Sequence, residues 1–280
     1  MMVKKKNMVD KNIQSLLRAK YNPDGSVMRK AQLRMVEMLA FVDKVCKDNN
    51  LSYWLDSGTL IGAARHGGFI PWDEDTDICM PRKDMLKFKE IMLNGNVSDE
   101  FVLQCHETDS EYYGFWPVLR DLKSEYIQDS VVHNKRKYRG LQVDIFPVED
   151  NIRPGAFKFC EKYVKCFILY PLMGAKSLGW LRPFIPVSHY LLDKLIIPAL
   201  RWYSSFFRPN DYLHMSYGCA FYSKRYIKDV YPLGEIIFEG KSLRAPCNVS
   251  SYLQTIYGSW DKLPSEDKII THKVEIKFKE

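Results

Sequence analysis

The densest chemistry in the chain is the run Pro71-Trp72-Asp73-Glu74-Asp75-Thr76-Asp77-Ile78, with a separate acid in Val143-Asp144-Ile145-Phe146. Along extended backbone the side chains alternate faces, so Asp75 and Asp77 point the same way and their carboxylates converge. Two ionised carboxylates held that close repel each other. A site that keeps both charged at neutral pH requires a cation, and all-oxygen ligation favours Mg²⁺ or Mn²⁺. Asp144 is flanked by apolar Val143 and Ile145, so in a strand it faces away from the buried side and can supply a third carboxylate from a neighbouring strand. Such a trio can hold one or two divalent ions, which orient a phosphate chain, neutralise developing charge and activate an attacking hydroxyl. A solvated acidic loop is the plainer alternative, but Ile78-Cys79-Met80 joins these acids directly to a buried strand.

Ser57-Gly58-Thr59 is the second element. At the start of a helix, exposed backbone N–H groups and the positive end of the helix dipole make an anion site, and glycine admits a phosphate close to the backbone. Ser and Thr are also good helix caps, so it is the nearby acids that turn this junction into half of a nucleotide-phosphate pocket.

The surrounding pattern supplies a scaffold for these groups. Residues 29–50 carry Leu33, Val36, Leu39 and Val42 at helical spacing, with Asn49-Asn50 as a stop. Leu51 to Leu55 reads as a short strand, and 56–59 as a turn opening a helix that runs through about Arg65 and ends at Gly67-Gly68. Residues 77–80 form a strand stopped by Pro81, 82–93 follow a helical pattern, and 101–105, 115–119 and 140–146 are further strands. Strands interspersed with helices predict an α+β, mixed α/β core. Between 152 and 208, Pro171, Pro183, Pro186 and Pro198 are expected to divide the chain into short helical pieces. Mixed character resumes at 235–243, and 248–257 is a helix with Asn248 as N-cap and Gly258 as its stop. The organisation that follows is an N-terminal extension (1–28), a catalytic core (29–151), a helical insertion (152–210) and a C-terminal part completing the core (211–280).

With 280 residues, 46% hydrophobic and 27% charged, the chain can bury a substantial core, which excludes the disordered, collagen-like and coiled-coil classes. Its seven cysteines form no C-x-x-C pair, and an odd number leaves at least one unpaired, as expected in a reduced compartment. Lys4-Lys5-Lys6 precede no apolar signal-like stretch and no apolar run is long enough to cross a bilayer, so a cytoplasmic location is expected, free or peripheral at the inner face of the cell membrane. The formal charge of +7 is concentrated: residues 155–208 hold eight Lys or Arg against two acids, a net +6. Together with Phe157, Trp180, Leu191, Trp202 and Phe206, that segment fits two readings. Its helices lie in a membrane interface facing anionic headgroups, or they cover the sheet with the cations as solvent rim. The cations are interleaved with large aliphatics and carry no recognition motif, so no nucleic-acid partner is expected.

The run from Leu55 to Ile78, containing Asp56-Ser57-Gly58-Thr59, Arg65-His66-Gly67-Gly68 and the acidic block, closely resembles the signature of the LicD family, bacterial phosphocholine transferases related to fukutin. Residues 140–147 are similar to its second block, and Phe238-Glu239-Gly240 with Tyr252 to Gly258 resemble its C-terminal block. The match is very specific in the first block and much weaker between 150 and 230. It implies a nucleotidyltransferase-like fold in which Asp75, Asp77 and Asp144 hold the metal. It further implies transfer of phosphocholine from CDP-choline to a sugar hydroxyl of a surface glycan (lipopolysaccharide, teichoic acid or capsule), releasing CMP. Where Asp and an aliphatic residue are implied, this chain has Glu74 and Thr76, while the spaced aspartates are intact.

On this reading Ser57-Gly58 cradle the diphosphate, the acceptor hydroxyl attacks in line, and Asp144 draws off the hydroxyl proton or serves only as a ligand. Arg65 is either a planar donor for a phosphate oxygen or a surface cation near a helix C-terminus. Trp54, Trp72, Tyr112, Tyr113 and Trp116 are available to a choline headgroup through cation–π attraction, although aromatics at such positions are more often core. A glycan acceptor built on a lipid carrier suits the membrane reading of the basic middle. Other family members move different phosphate esters such as ribitol phosphate. Two further classes stay open: a D-x-D glycosyltransferase using a nucleotide sugar, and a noncatalytic membrane adaptor with a dead transferase core.

Overall fold

The computed structural model describes residues 9–95, 97–127, 130–174, 177–219, 221, 223–265, 269 and 275–279. Lys4, Lys5, Lys6 and Lys176 of the charge tally lie outside them. Helix α1 (Lys11–Tyr21) starts on Asp10, whose carboxylate accepts from the Asn12 and Ile13 N–H groups. Helix α2 (Val27–Asp48) is capped by Ser26 and buries Ala31, Met35, Leu39 and Val42, a stripe at helical spacing that faces the core; Val36 of the expected stripe is buried too, but Leu33 is exposed, because it falls on the opposite side of the helix. Two-residue β1 (Trp54–Leu55) is all that forms of the strand expected over 51–55. Helix α3 (Ser57–His66) follows and stops where Gly67 turns left-handed at φ 70°.

Strand β2 (Asp77–Pro81) leads into α4 (Arg82–Asn94), and then come β3 (Phe101–Gln104), β4 (Val118–Asp121), β5 (Ser124–Ile127), α5 (Val131–Asn134) and β6 (Gln142–Glu149). The strand expected at 115–119 starts later, at Val118, because Pro117 just before it has no N–H to give a ladder.

These strands form a sheet ordered β1-β2-β6-β4-β3, with β7 (Tyr212–Met215) joined to β6 and β8 (Arg225–Tyr226) to β7. Strand β6 is the hub. It runs parallel to β2 on one side, while its other side pairs antiparallel with β4 near its start and with β7 near its end. Six consecutive residues of β6, Val143 to Val148, are buried, so the strand is covered on both faces and Asp144, expected on an open side, is itself buried. The mixed α+β architecture is thus the one expected from the pattern of elements.

After β6 the chain runs through α6 (Pro154–Val164), a π-helical turn (165–169) and α7 (Tyr170–Leu172) without a break. It then runs through α8 (Ile185–Tyr190), a second π-helical turn (191–196) and α9 (Ile197–Ser204). Pro183 lies in a 3₁₀ segment (Gly179–Phe184) and Pro186 opens α8, as a division there would require, but Pro171 and Pro198 do not cut the helical runs they sit in. Pro171 and Pro198 each follow a π turn, whose wider i to i+5 spacing accommodates a residue with no N–H and a ring that would strike the carbonyl four residues back. A short helix α10 (Ile227–Val230), the hairpin β9 (Gly234–Phe238) and β10 (Lys241–Ala245), α11 (Val249–Tyr257) and β11 (Glu275–Phe278) complete the chain. Asn248 caps α11 as expected, accepting from the Ser251 N–H, and β11 pairs with β5. All seven cysteines are free thiols.

Candidate active site

Asp77 and Asp144 are register partners on the parallel strands β2 and β6. Their spacing is set by the backbone ladder, and neither depends on a loop for its position. Thr76 and Glu74 are buried while Asp73, Asp75 and Asp77 are half-buried, the alternation expected of extended chain, with the odd-numbered acids on the open side. Three bonds tie this segment to its neighbours. The Asp77 N–H donates to Thr59 Oγ1 at 2.9 Å, the Asp144 N–H donates to the Thr76 carbonyl at 2.8 Å, and Thr76 Oγ1 donates to the Gln142 carbonyl at 2.9 Å.

Thr59 thus spends its hydroxyl holding the strand of acids against the start of α3. Ser57 opens that helix in the left-handed region at φ 48°, an uncommon conformation for a residue with a Cβ. Gly58 faces the acids: a Cβ there would lie 2.8 Å from Asp73 Oδ2. The expected Ser57-Gly58-Thr59 junction and the acidic block are therefore neighbours, and Asp73, which sequence reasoning passed over, stands between them. Its signal was its place in the odd-numbered series.

The electrostatics follow from this crowding. Burial, and then the charge of Asp75, push the Asp73 carboxyl well above the usual carboxylate range. Burial does the same to Asp77, reinforced by Asp75 and Asp144. Asp144 is pushed up to about 6, chiefly by burial, although Trp116 and Arg120 pull the other way. Its two oxygens are oriented: Trp116 Nε1 donates to Oδ1 at 2.7 Å and Gln142 Nε2 to Oδ2 at 2.8 Å. Gln142 is itself fixed by the buried Arg120, which donates to Gln142 Oε1, to Gln104 Oε1 and to the Gly140 carbonyl. A set of carboxylates that resist losing their protons for want of positive charge fits a hard divalent cation by donor chemistry. Among the described residues no three His, Cys, Asp or Glu side chains are drawn around one point as a closed ligand set.

Asp56 is a different kind of acid. It is fully buried, it precedes α3 without capping it, and its carboxylate takes Arg225 at 2.6 Å, the Tyr252 hydroxyl at 2.6 Å and the Cys79 thiol at 3.2 Å. Burial alone would raise its pKa, but the Arg225 guanidinium, Tyr252 and Cys79 outweigh that and hold it below its ordinary value. The Tyr252 hydroxyl also accepts from Arg225 Nε and Trp54 Nε1, so this network locks β1, β8 and α11 to the turn that opens α3. No sequence spacing announces it, because Asp56 and Arg225 are 169 positions apart.

Arg65 is buried. Its Nε donates to His66 Nε2 and its Nη1 to the carbonyls of Trp260 and Lys262, clamping the end of α3 to the C-terminal segment. His66 bonds Gln14 through Nδ1, and burial with the Arg65 charge lowers its pKa to about 3. Of the five aromatics considered for a cationic headgroup, Trp54 and Tyr112 are core. Trp72 packs on Tyr21 and His66, and Tyr113 on His106 and His189. Trp116 touches an expected site acid, since its Nε1 donates to Asp144. Its ring lies 5.3 Å from that of Phe146, which shares the Asp144 face of β6 and lies 5.8 Å from exposed Phe221. Trp116 also lines a cavity of ≈ 280 Å³ between the sheet and the helical segment, with Arg82, Phe115 and Pro147 on one side and His189 and Arg201 on the other.

Residues 50–176 match the LicD/FKTN/FKRP nucleotidyltransferase domain family. Over 274 residues, covering 89% of this chain and 96% of the relative, the chain is 25% identical to the lipopolysaccharide cholinephosphotransferase LicD of Haemophilus influenzae. It is 31% identical over 96 residues, 29% of this chain and 19% of the relative, to the ribitol 5-phosphate transferase FKRP of Homo sapiens. An uncharacterized protein of Rickettsia prowazekii is 36% identical over 140 residues, 44% of this chain and 53% of the relative.

Proposed function

We propose that the chain, whose residues 50–176 match the LicD/FKTN/FKRP nucleotidyltransferase domain family, transfers a phosphate ester, with phosphocholine from CDP-choline as the first candidate, to a sugar hydroxyl of a cell-surface glycan. What supports this reading is the Asp77–Asp144 pair on adjacent parallel strands, with Asp73 and Asp75 beside it and the start of α3 at its edge. The similarity to a cholinephosphotransferase extends along most of both chains.

The residues divide the work by their chemistry. Asp75, Asp77 and Asp144 would hold Mg²⁺ or Mn²⁺, which supplies positive charge for the diphosphate and for the charge that develops on transfer. Ser57 and Gly58 offer backbone N–H groups at the positive end of α3 to the phosphates, and Gly58 lets them approach the backbone. Asp144, oriented through both oxygens by Trp116 and Gln142, either takes the acceptor hydroxyl proton or serves only as a metal ligand. Trp116, Phe146 and Phe221 form an aromatic wall beside it on which a quaternary ammonium can rest by cation–π attraction. Arg65 has no place in this scheme as a phosphate ligand, since its Nε and Nη1 serve the α3 clamp.

The test offers CDP-choline and UDP-sugars side by side with a purified surface glycan and Mg²⁺. Release of CMP with phosphocholine on the glycan supports the proposal. Release of UDP alone would show a D-x-D glycosyltransferase instead. No metal-dependent heat on titration with CDP-choline would point to an adaptor.

A further inference from the structure

The continuous helical run from Ile185 to Ser204 is apolar on both sides. Its inner face buries Ile185, Leu192 and Ile197 and is fastened to the core where Arg201 grips both oxygens of Glu149 at 2.8–3.2 Å and Ser204 bonds the Tyr217 hydroxyl. Its outer face presents Val187, Leu191, Leu195 and Trp202 at helical spacing, all exposed. The neighbouring segments extend this surface. Met173, Trp180, Trp202 and Phe206 are 66–69% exposed, and Phe159 and Phe184 are more than half exposed. An outward helix face that is apolar is an exposed apolar patch of the kind that meets a partner or a membrane. This helical run cannot turn its outer face inward, because the inner face is already pinned.

We propose that the outer face of residues 159–174 and 177–206 is a membrane-interface surface that seats the protein on an anionic bilayer. Three observations select lipid as the occupant. Residues 155–208, which contain this face, carry net +6 charge, with Lys158, Lys162 and Arg208 exposed, which complements anionic headgroups. Protein–protein interfaces, in contrast, are depleted in lysine, and a second copy would bring the same positive charge against itself. The exposed set is rich in Trp and Tyr, the residues that favour the headgroup level. Among the described residues no helix is long and apolar enough to cross a membrane, so the surface lies on the bilayer. Pro186, Tyr190 and Lys194 of the same run line the ≈ 280 Å³ cavity, so a seated protein holds that cavity at headgroup depth. The seating itself does not rest on the transferase reading.

The experiment is flotation of the full chain with vesicles of equal parts phosphatidylglycerol and phosphatidylcholine, and with phosphatidylcholine alone. The chain should float with the anionic vesicles at about 0.05 M salt, and the bound fraction should fall at least about tenfold near 0.5 M. A triple variant Trp180→Ser, Trp202→Ser, Phe206→Ser should lose binding by a similar factor while keeping its melting temperature. Should the triple variant fail to fold, the pair Lys158→Glu, Lys162→Glu provides the same readout through charge. Absence of flotation with anionic vesicles at low salt overturns the proposal, as does flotation unchanged by both variants. A wild-type dimer that the triple variant converts to monomer, without vesicle binding, overturns it in favour of self-association. Loss of CMP release without loss of flotation would refute the proposed reaction and leave the membrane surface standing.

Discussion

Replacing Asp56 by Asn tests the claim that a buried ion pair, and not the capping of α3, is what that residue does. Asp56 and Arg225 are both at most 2% exposed, and the guanidinium approaches the carboxylate at 2.6 Å. Removing the negative charge leaves Arg225 buried and uncompensated, a loss of about 3–5 kcal/mol. For chains of 150–250 residues each kcal/mol moves the melting midpoint by about 2–4 °C, so a fall of roughly 6–20 °C is expected. The dependence on pH has a definite sign. Because the folded-state pKa of Asp56 is lowered, its contribution is complete above the ordinary carboxylate value and is lost only as pH falls through the lower folded value. The gap between wild type and variant should therefore be constant from about pH 5 to 8 and narrow only in acid. Scanning fluorimetry and urea unfolding measure it. Adding Arg225→Met to the variant should recover at least half of the loss, since both charges then leave the core together. A single variant melting within about 2 °C of wild type, or a double variant showing the plain sum of two losses, would refute the reasoning.

Other outcomes follow from the site. Asp77→Asn should abolish transfer yet leave the melting temperature equal to or above wild type at pH 7.5, because the wild-type carboxyl is held above its ordinary pKa by burial and its neighbours; a marked drop in stability would contradict this. Saturating Mg²⁺ at pH 7.5 should stabilise the wild type by about 2–3 kcal/mol at a hundredfold excess over the dissociation constant, and should not stabilise Asp77→Asn; equal shifts in both would remove these acids as ligands. Trp116→Phe deletes a donor to the ionised form of Asp144, so the acid limb of the kcat/KM profile should move to higher pH; an unmoved limb would deny Asp144 its role. Gly62→Ala would bring a Cβ to 2.5 Å from the Gly68 carbonyl, which is backbone and cannot swing aside, so a destabilisation of about 1–3 kcal/mol is expected by urea unfolding.

Local signals were legible wherever the physics is local. The apolar stripe of α2, the Gly67 stop of α3 and the Asn248 cap of α11 can all be read from a few adjacent residues. So can the alternation that puts Asp73, Asp75 and Asp77 on one face. What stayed hidden depends on distant partners. Arg65 reads as a cation near a helix end, and only the arrival of residues 260–262 explains its burial. Asp56 reads as a turn residue until Arg225 and Tyr252 converge on it. The prolines at 171 and 198 look like breaks because a π turn leaves no mark in the composition. That Asp77 and Asp144 are ladder partners is a property of the sheet, carried by strands separated by some sixty residues of intervening chain.

That ladder has a consequence for how the protein can vary. The chain between β2 and β6 makes a long excursion through α4, β3, β4 and β5 before returning, yet the alignment of the two aspartates is written in the backbone bonds of the two strands themselves. Insertions at exposed positions of the excursion, such as Glu107 or Ser110, should leave the pair in alignment. A single residue removed from within either strand would shift every later side chain to the opposite face and silence the site. Lineages and engineers alike are free to re-cut the excursion to suit new glycans, as long as the two short strands keep their count.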